Sequence, residues 1–178
     1  VSDEEGQAPA PRRLLWLVLV VAAVVVLLDQ LTKYWAATSI RERIESGEGA
    51  IEIVGSLLKF TYAENTGAAF SIGTGFTWIF TSVAIVVVIV IIRTASRLTN
   101  PAWAIALGGL LGGSLGNLID RMTRDPGPFR GYVVDFIQVP NFPIFNVADM
   151  AIVGSSILMV VLSVRGVEFS KSSQKVSA

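Results

Sequence analysis

Four stretches of this chain are too long and too apolar to fold as ordinary elements in water. Leu14–Leu28 is nearly pure Leu, Val and Ala, and its helical pattern continues to about Ala37. Phe76–Ile92, Ala102 to about Ile119, and about Val147 to Val164 follow. A hydrocarbon core of about 30 Å takes roughly 20 helical residues to cross. Inside lipid, only a helix satisfies its backbone groups within one segment. The expectation is an all-α integral membrane protein with four transmembrane helices, spanning about 14–37, 76–92, 102–119 and 147–164. The 178 residues suit one such unit, and a mean hydropathy of +0.63 with 16% charged residues sets the chain apart from ordinary soluble domains. A cleaved signal peptide is the other reading of the first run, since basic residues precede it. No small-x-small site follows promptly, and Asp29 to Trp35 keeps the helical pattern, so a retained span is expected.

The connections are polar and unequal. Residues 1–13 read as a disordered cytoplasmic tail, 14–165 as the membrane domain and 166–178 as a second cytoplasmic tail. After a polar link, Arg41 to Gly49, period-two alternation over about 50–63 (Ile51 and Ile53, then Phe60 and Tyr62) predicts short strands and a small sheet lying on the membrane surface. The third span carries Gly108, Gly109, Gly112, Gly113 and Gly116, which let neighbouring backbones approach closely. Basic residues set the orientation. Arg12/Arg13, Arg93/Arg97 and Arg165/Lys171/Lys175 fall at one set of span ends, which the positive-inside rule makes cytoplasmic. Both termini are then inside. Asp29, Asp120, Asp135 and Asp149 all come to the outer face.

Composition narrows the chemistry. The chain has no cysteine and no histidine, so thiol catalysis, Ser-His-Asp triads and HExxH zinc sites are excluded. No metal or cofactor is expected. A formal net charge of zero and the lack of a basic aromatic surface argue against a nucleic-acid partner. Carboxylates remain, and ionisable groups near the ends of membrane spans are functional candidates by default. Asp135 sits in the apolar run Tyr132–Ile137, where a lone carboxylate needs a partner or a proton. Asp149 opens the fourth span; its bland reading is the third helical residue of a helix capped by Asn146. Together they can share a proton, one acting as base on a water and the other as acid on the leaving amine. Asp120-Arg121 reads either as an interfacial ion pair or as a loop-orienting acid beside a carbonyl-binding Arg121. Asn117, one turn earlier, is placed to satisfy nearby backbone groups. Asp29 and Lys33 are four apart in salt-bridge order, with Asp29 near a helix end, and read as structural. Asn65-Thr66-Gly67 is either a plain turn or a peptide-binding one.

Five segments resemble the prolipoprotein signal peptidase (signal peptidase II) family. They are Asp29–Lys33 (DQLTK), Asn65–Phe70 (NTGAAF), Gly116–Arg121 (GNLIDR), Val133–Phe136 (VVDF) and Phe145–Asp149 (FNVAD), in order within Leu14–Val164. The resemblance implies a catalytic dyad of Asp135 and Asp149. It implies support or substrate contact from Asn65, Gly67, Asn117, Asp120, Arg121, Asn146 and Ala148, with Asp29 and Lys33 structural beside them. It also implies a small extracytoplasmic β-cradle, which Ile51 to Tyr62 suit, and a membrane aspartic endopeptidase of the bacterial cytoplasmic membrane, working as a monomer among membrane lipids. Its substrate would be a diacylglyceryl-modified prolipoprotein, cut on the amino side of the lipidated cysteine. Two departures stand out: Thr123–Arg130 lengthens the link from Asp120 to Asp135, and the polar N-terminal tail has no family role.

Two other classes fit parts of the chain. A small proton- or cation-coupled transporter predicts acids along a mid-membrane polar path, whereas these cluster at one face. A serine-lysine peptidase needs a serine beside Lys33 or Lys59, the lysines on the outer side, and none is evident.

Overall fold

A computed structural model describes residues 11–67 and 77–170, with side chains from Leu14 onward. Most of the expected N-terminal tail, Ala68–Phe76 and Lys171–Ala178 lie outside the described residues; Pro11–Arg13 open the first helix rather than belonging to a tail. The elements are α1 (Pro11–Trp35), a π-helical turn (Ala36–Ile40), α2 (Arg41–Glu45), β1 (Ile51–Val54), β2 (Leu58–Asn65), α3 (Thr77–Ala95), α4 (Pro101–Thr123), β3 (Val133–Gln138) and α5 (Val147–Val164). Four helices are long and apolar enough to cross a membrane.

The first helix runs further than its composition suggests. The polar link expected from Arg41 is helical to Glu45, so Pro11–Glu45 is one rod of about 50 Å. Its buried residues, Leu14, Val18, Ala22, Asp29, Lys33, Ala36 and Ile40, fall on one stripe. The other side shows Trp16, Val20, Leu27 and Leu31 to lipid. Asp29 therefore lies in mid-helix and not near a C-terminus, and it needs a partner for burial rather than for the helix dipole.

Helix α4 is the hub, and its glycines divide by face. A methyl group built on Gly112 would lie 2.7 Å from Val25 Cβ, and one on Gly108 would lie 2.7 Å from Val21 Cβ. These glycines let α1 lie against the α4 backbone. Gly113 faces α5, where a methyl would lie 2.5 Å from the Ala148 carbonyl. Close backbone packing of this kind is what holds helices together in lipid.

The sheet has order β1-β2-β3, antiparallel throughout. Strand β3 is not among the elements that the sequence pattern predicts. Val133–Ile137 are all buried, so the strand lacks the alternation that marks one with a wet face. Its apolar side packs Val134, Phe136 and Ile137 with Ala36 and Ile40 of the rod. Trp35, Phe60 and Phe136 meet with ring centroids 5.5–6.3 Å apart. Between the pairs Phe60↔Ile137 and Ala63↔Asp135 the register slips by one residue. Such a bulge re-aims the strand just before the site. At the opposite end, Leu14, Val18, Ile91, Leu98, Ala104 and Leu107 form a second apolar core. The polar residues lie between the two cores.

Candidate active site

Lys33 stands at the centre, fully buried, as is Asp29. Its ammonium carries three donors and meets three oxygens: Asp29 Oδ2 at 2.8 Å, Asn117 Oδ1 at 2.9 Å and Asp120 Oδ2 at 3.1 Å. The i, i+4 spacing sets Asp29 against Lys33, and α4 supplies the other two. Each acceptor then reaches a further element. Asp29 Oδ1 accepts the Ala148 N–H at 2.9 Å, one of the free donors in the first turn of α5. Asp120 accepts the Val134 N–H at 3.2 Å and Arg124 Nε at 2.9 Å. Asn117 turns its amide nitrogen to Asp149 Oδ1, 2.9 Å away.

Asp135 and Asp149 meet through Asn146. The Asn146 side chain donates to Asp135 Oδ1 at 2.6 Å and accepts the Asp149 N–H at 3.0 Å. Its own N–H donates to Asp149 Oδ2 at 3.1 Å, closing a capping box on α5. The second Asp135 oxygen accepts Asn65 Nδ2 at 2.8 Å, and Asn65 Oδ1 in turn accepts the Gly67 N–H at 2.8 Å. The bond that caps α5 through Asn146 thus also joins Asp149 to Asp135, so capping does not compete with a pairing of the two carboxyls.

Burial pushes the Asp135 carboxyl up to about 7; the Asn65 hydrogen bond opposes this and the nearby Asp149 charge reinforces it. Charge balance agrees. Asp29, Asp120, Asp135 and Asp149 face Lys33, Arg121 and Arg124, so one carboxylate lacks a matching cation unless the pair keeps a proton.

Two cavities meet at the pair. A cleft of about 480 Å³ is lined by Asn65, Gly67, Phe80, Arg121 and Asp135. A largely apolar groove of about 680 Å³ follows α5 past Asp149, Met150, Val153, Gly154 and Ile157. Asn65, Pro143 and Ile144 border both.

Residues 21–165 match the family described as signal peptidase (SPase) II. The chain belongs to the signal peptidase II family. It is 48% identical over 172 residues to the lipoprotein signal peptidase of Mycolicibacterium smegmatis, covering 95% of this chain and 71% of that one. With the lipoprotein signal peptidase of Mycobacterium tuberculosis strain H37Rv it shares 47% over 165 residues, 93% and 79% of the two chains. A solved structure described as a bacterial membrane enzyme at 2.3 Å resolution superposes with a TM-score of 0.70 at 30% identity, over 89% of this chain and 93% of that one. This signal peptidase II chain is thus a multi-pass bacterial membrane protein.

The structure gathers every residue singled out in the sequence: Asp29, Lys33, Asn65, Gly67, Asn117, Asp120, Arg121, Asp135, Asn146, Ala148 and Asp149. Two pairings differ. Asp120 bonds Lys33 and Arg124, not Arg121. Arg121 makes no ion pair within 4.0 Å among the described residues; it lies 5.8 Å from the Phe80 ring centroid, its Nη1 buried without a partner. Asn117, expected to serve backbone groups, joins side chains instead. Sequence reasoning misses Arg124, although Asp120 and Arg124 show the same i, i+4 spacing as Asp29 and Lys33. It misses Gln30 too, whose amide donates to Asp29 Oδ2 and the Gly116 carbonyl, both at 3.1 Å. A single polar residue beside a conspicuous acid gives no pattern to find.

Replacing Lys33 by Met keeps the side-chain bulk and strands two carboxylates. Removing one partner of a buried ion pair costs about 3–5 kcal/mol. In detergent, Lys33→Met is expected to melt roughly 10 °C below the wild type; an unchanged melting temperature would refute the central role given to this ammonium.

Proposed function

We propose that this enzyme removes the signal peptide from diacylglyceryl-modified prolipoproteins, with Asp135 and Asp149 as the catalytic pair. Membership of the signal peptidase II family makes it a membrane aspartic-type peptidase acting on prolipoproteins. The observation that carries the catalytic assignment is the asymmetric pair bridged by Asn146.

In this reading Asp149 is the base. Its oxygens accept two N–H bonds at the positive end of α5, which suits a carboxylate. It takes a proton from water as the water oxygen attacks the scissile carbonyl. Asp135, carrying the shared proton, donates it to the departing amine nitrogen. Proton transfer from Asp149 back to Asp135 restores the pair. Arg121 beside Asp135 offers N–H donors to a substrate carbonyl in the cleft. The signal peptide lies in that cleft. The acyl chains of the lipidated cysteine lie in the groove along α5, open to the bilayer. Basic residues at the opposite helix ends support cytoplasmic termini and an extracytoplasmic active site.

The serine-lysine reading loses its support: Lys33 has all three donors engaged by Asp29, Asn117 and Asp120, and Lys59 pairs with Glu52 at 2.6 Å on the surface. The transporter reading needs a polar path, whereas one end of the helices here holds an apolar core.

Incubated with a lipidated precursor, the wild type is expected to release the signal peptide. Asp135→Asn and Asp149→Asn should each lose about 10²–10⁴-fold in rate. Substantial cleavage by either variant would sink the pair. With Asp135 as the acid, its proton is held below about 7 and lost above it. Single-turnover cleavage should therefore decline as pH rises through that value; a flat profile from about pH 6 to 8 would contradict the assignment. A Cβ at Gly154 would meet nothing within 4 Å, so Gly154→Leu can enter the groove without a backbone clash. Its KM for a lipidated precursor is expected to rise, and an unchanged KM would place the acyl chains elsewhere.

A further inference from the structure

Helix α3 is held differently at its two ends. Its buried residues are Thr77, Thr81, Ile91 and Ala95. Ile91 and Ala95 sit in the inner apolar core. Over the outer half only two residues are buried, and both are threonines, while Trp78, Ile79, Phe80, Val83 and Val86 are exposed. A hydroxyl in a membrane helix commonly returns to the carbonyl four residues back. Ser82 and Thr94 do this at 2.8 and 2.7 Å. Thr77 and Thr81 also reach across to other segments, Thr81 sharing its hydroxyl with the Thr77 carbonyl at 3.1 Å. Thr77 Oγ1 donates to the Thr66 carbonyl at 2.6 Å, just past the end of β2. Thr81 Oγ1 donates to the Phe129 carbonyl at 2.9 Å, in the loop that lengthens the Asp120–Asp135 link. Phe129 is itself held at φ +68°, a left-handed conformation unusual for a bulky residue.

Between the two hydroxyls stands Phe80. Its ring covers the Arg121 guanidinium, and a methyl built on Gly67 would lie 2.6 Å from Phe80 Cδ2. Phe80, Gly67 and Arg121 line the cleft that holds Asp135. We infer that Thr77 and Thr81 are positioning residues, a two-hydroxyl latch that fixes the outer end of α3 and so sets Phe80 as a wall of the substrate cleft. One hydroxyl ties that wall to the sheet and the other to the 124–131 loop. The loop that distinguishes this chain from the family pattern thereby acquires a role, since its Phe129 carbonyl is the far anchor of the latch. Releasing the latch lets Phe80 withdraw from Arg121, which weakens the grip on substrate while Asp135, Asp149 and Asn146 keep their geometry.

The inference rests on the peptidase reading, so its test has two independent arms. In the first, KM and kcat for a lipidated precursor are measured for Thr77→Val/Thr81→Val and Thr77→Ser/Thr81→Ser. Two lost hydrogen bonds predict a KM raised about tenfold, kcat nearly unchanged and full rescue by serine, which keeps the hydroxyls. In the second, spin labels are placed at Ile79→Cys and Leu31→Cys, both exposed positions in a chain without native cysteine. The distance distribution between α3 and α1 should broaden with the valines and return with the serines. An unchanged KM and distribution in the valine variant, or equal losses with valine and serine, would overturn the latch. A wild type that fails to cleave would count against the peptidase reading alone, and the distances would still decide the latch.

Discussion

A buried ammonium with no solvent is an expensive object, and the architecture can be read as the answer to it. Lys33 is acceptable only because three oxygens sit within 3.1 Å of its nitrogen. Those oxygens come from α1 and α4, and the residues carrying them also bond α5 through Ala148 and β3 through Val134. Shifting α1 or α4 would leave a charge unpaired, and shifting α5 or β3 would strip a buried carboxylate of an N–H donor. The four are therefore locked in register by electrostatics where the outer apolar core ends. The glycine faces of α4 allow this, since only close backbones bring Asp29 and Asn117 within reach of one nitrogen.

The same network explains how two carboxylates of like charge become unlike. Asp149 is on a helix, at its N-terminus, among N–H donors. Asp135 is on a strand buried on both faces, 2% exposed. Placing the pair on elements of different type creates the asymmetry that the proposed acid and base roles require. Asn146 lies on the seam between β3 and α5 and bonds to both, so neither carboxylate can move without the other. A chain without histidine thus obtains a group that titrates near neutrality by burying an aspartate.

Much of this is legible in the sequence, unevenly so. The four helices are plain because lipid permits few alternatives, and β1 and β2 announce themselves by alternation. Strand β3 does not, since burial on both faces erases the period-two signal that Ile51 and Ile53 display. Asp29 and Lys33 are visible as an i, i+4 pair, yet their reach to Asn117, Asp120 and Ala148 depends on three-dimensional register that no local spacing encodes. Arg121 misleads for the opposite reason: adjacency to Asp120 suggests a pair, but neighbours in a helix point about 100° apart and do not face each other.

The position of the pair between two unlike cavities carries the chemistry one step further. Asp135 lines the more polar cleft and Asp149 the apolar groove, with Asn65 bordering both. In the proposed reading, a substrate that spans both cavities presents its scissile bond at their junction, because its peptide favours one and its acyl chains the other. Selectivity for a lipidated residue then follows from partition between two environments, without a side chain that reads the lipid. The junction also limits water. The apolar groove offers water few hydrogen-bonding partners, so in the proposed mechanism the attacking water comes from the cleft side. There Arg121 and the Asn65–Gly67 turn stand ready to align a peptide carbonyl. Hydrolysis of a membrane-held substrate then requires only that the two cavities meet where the charges are already balanced.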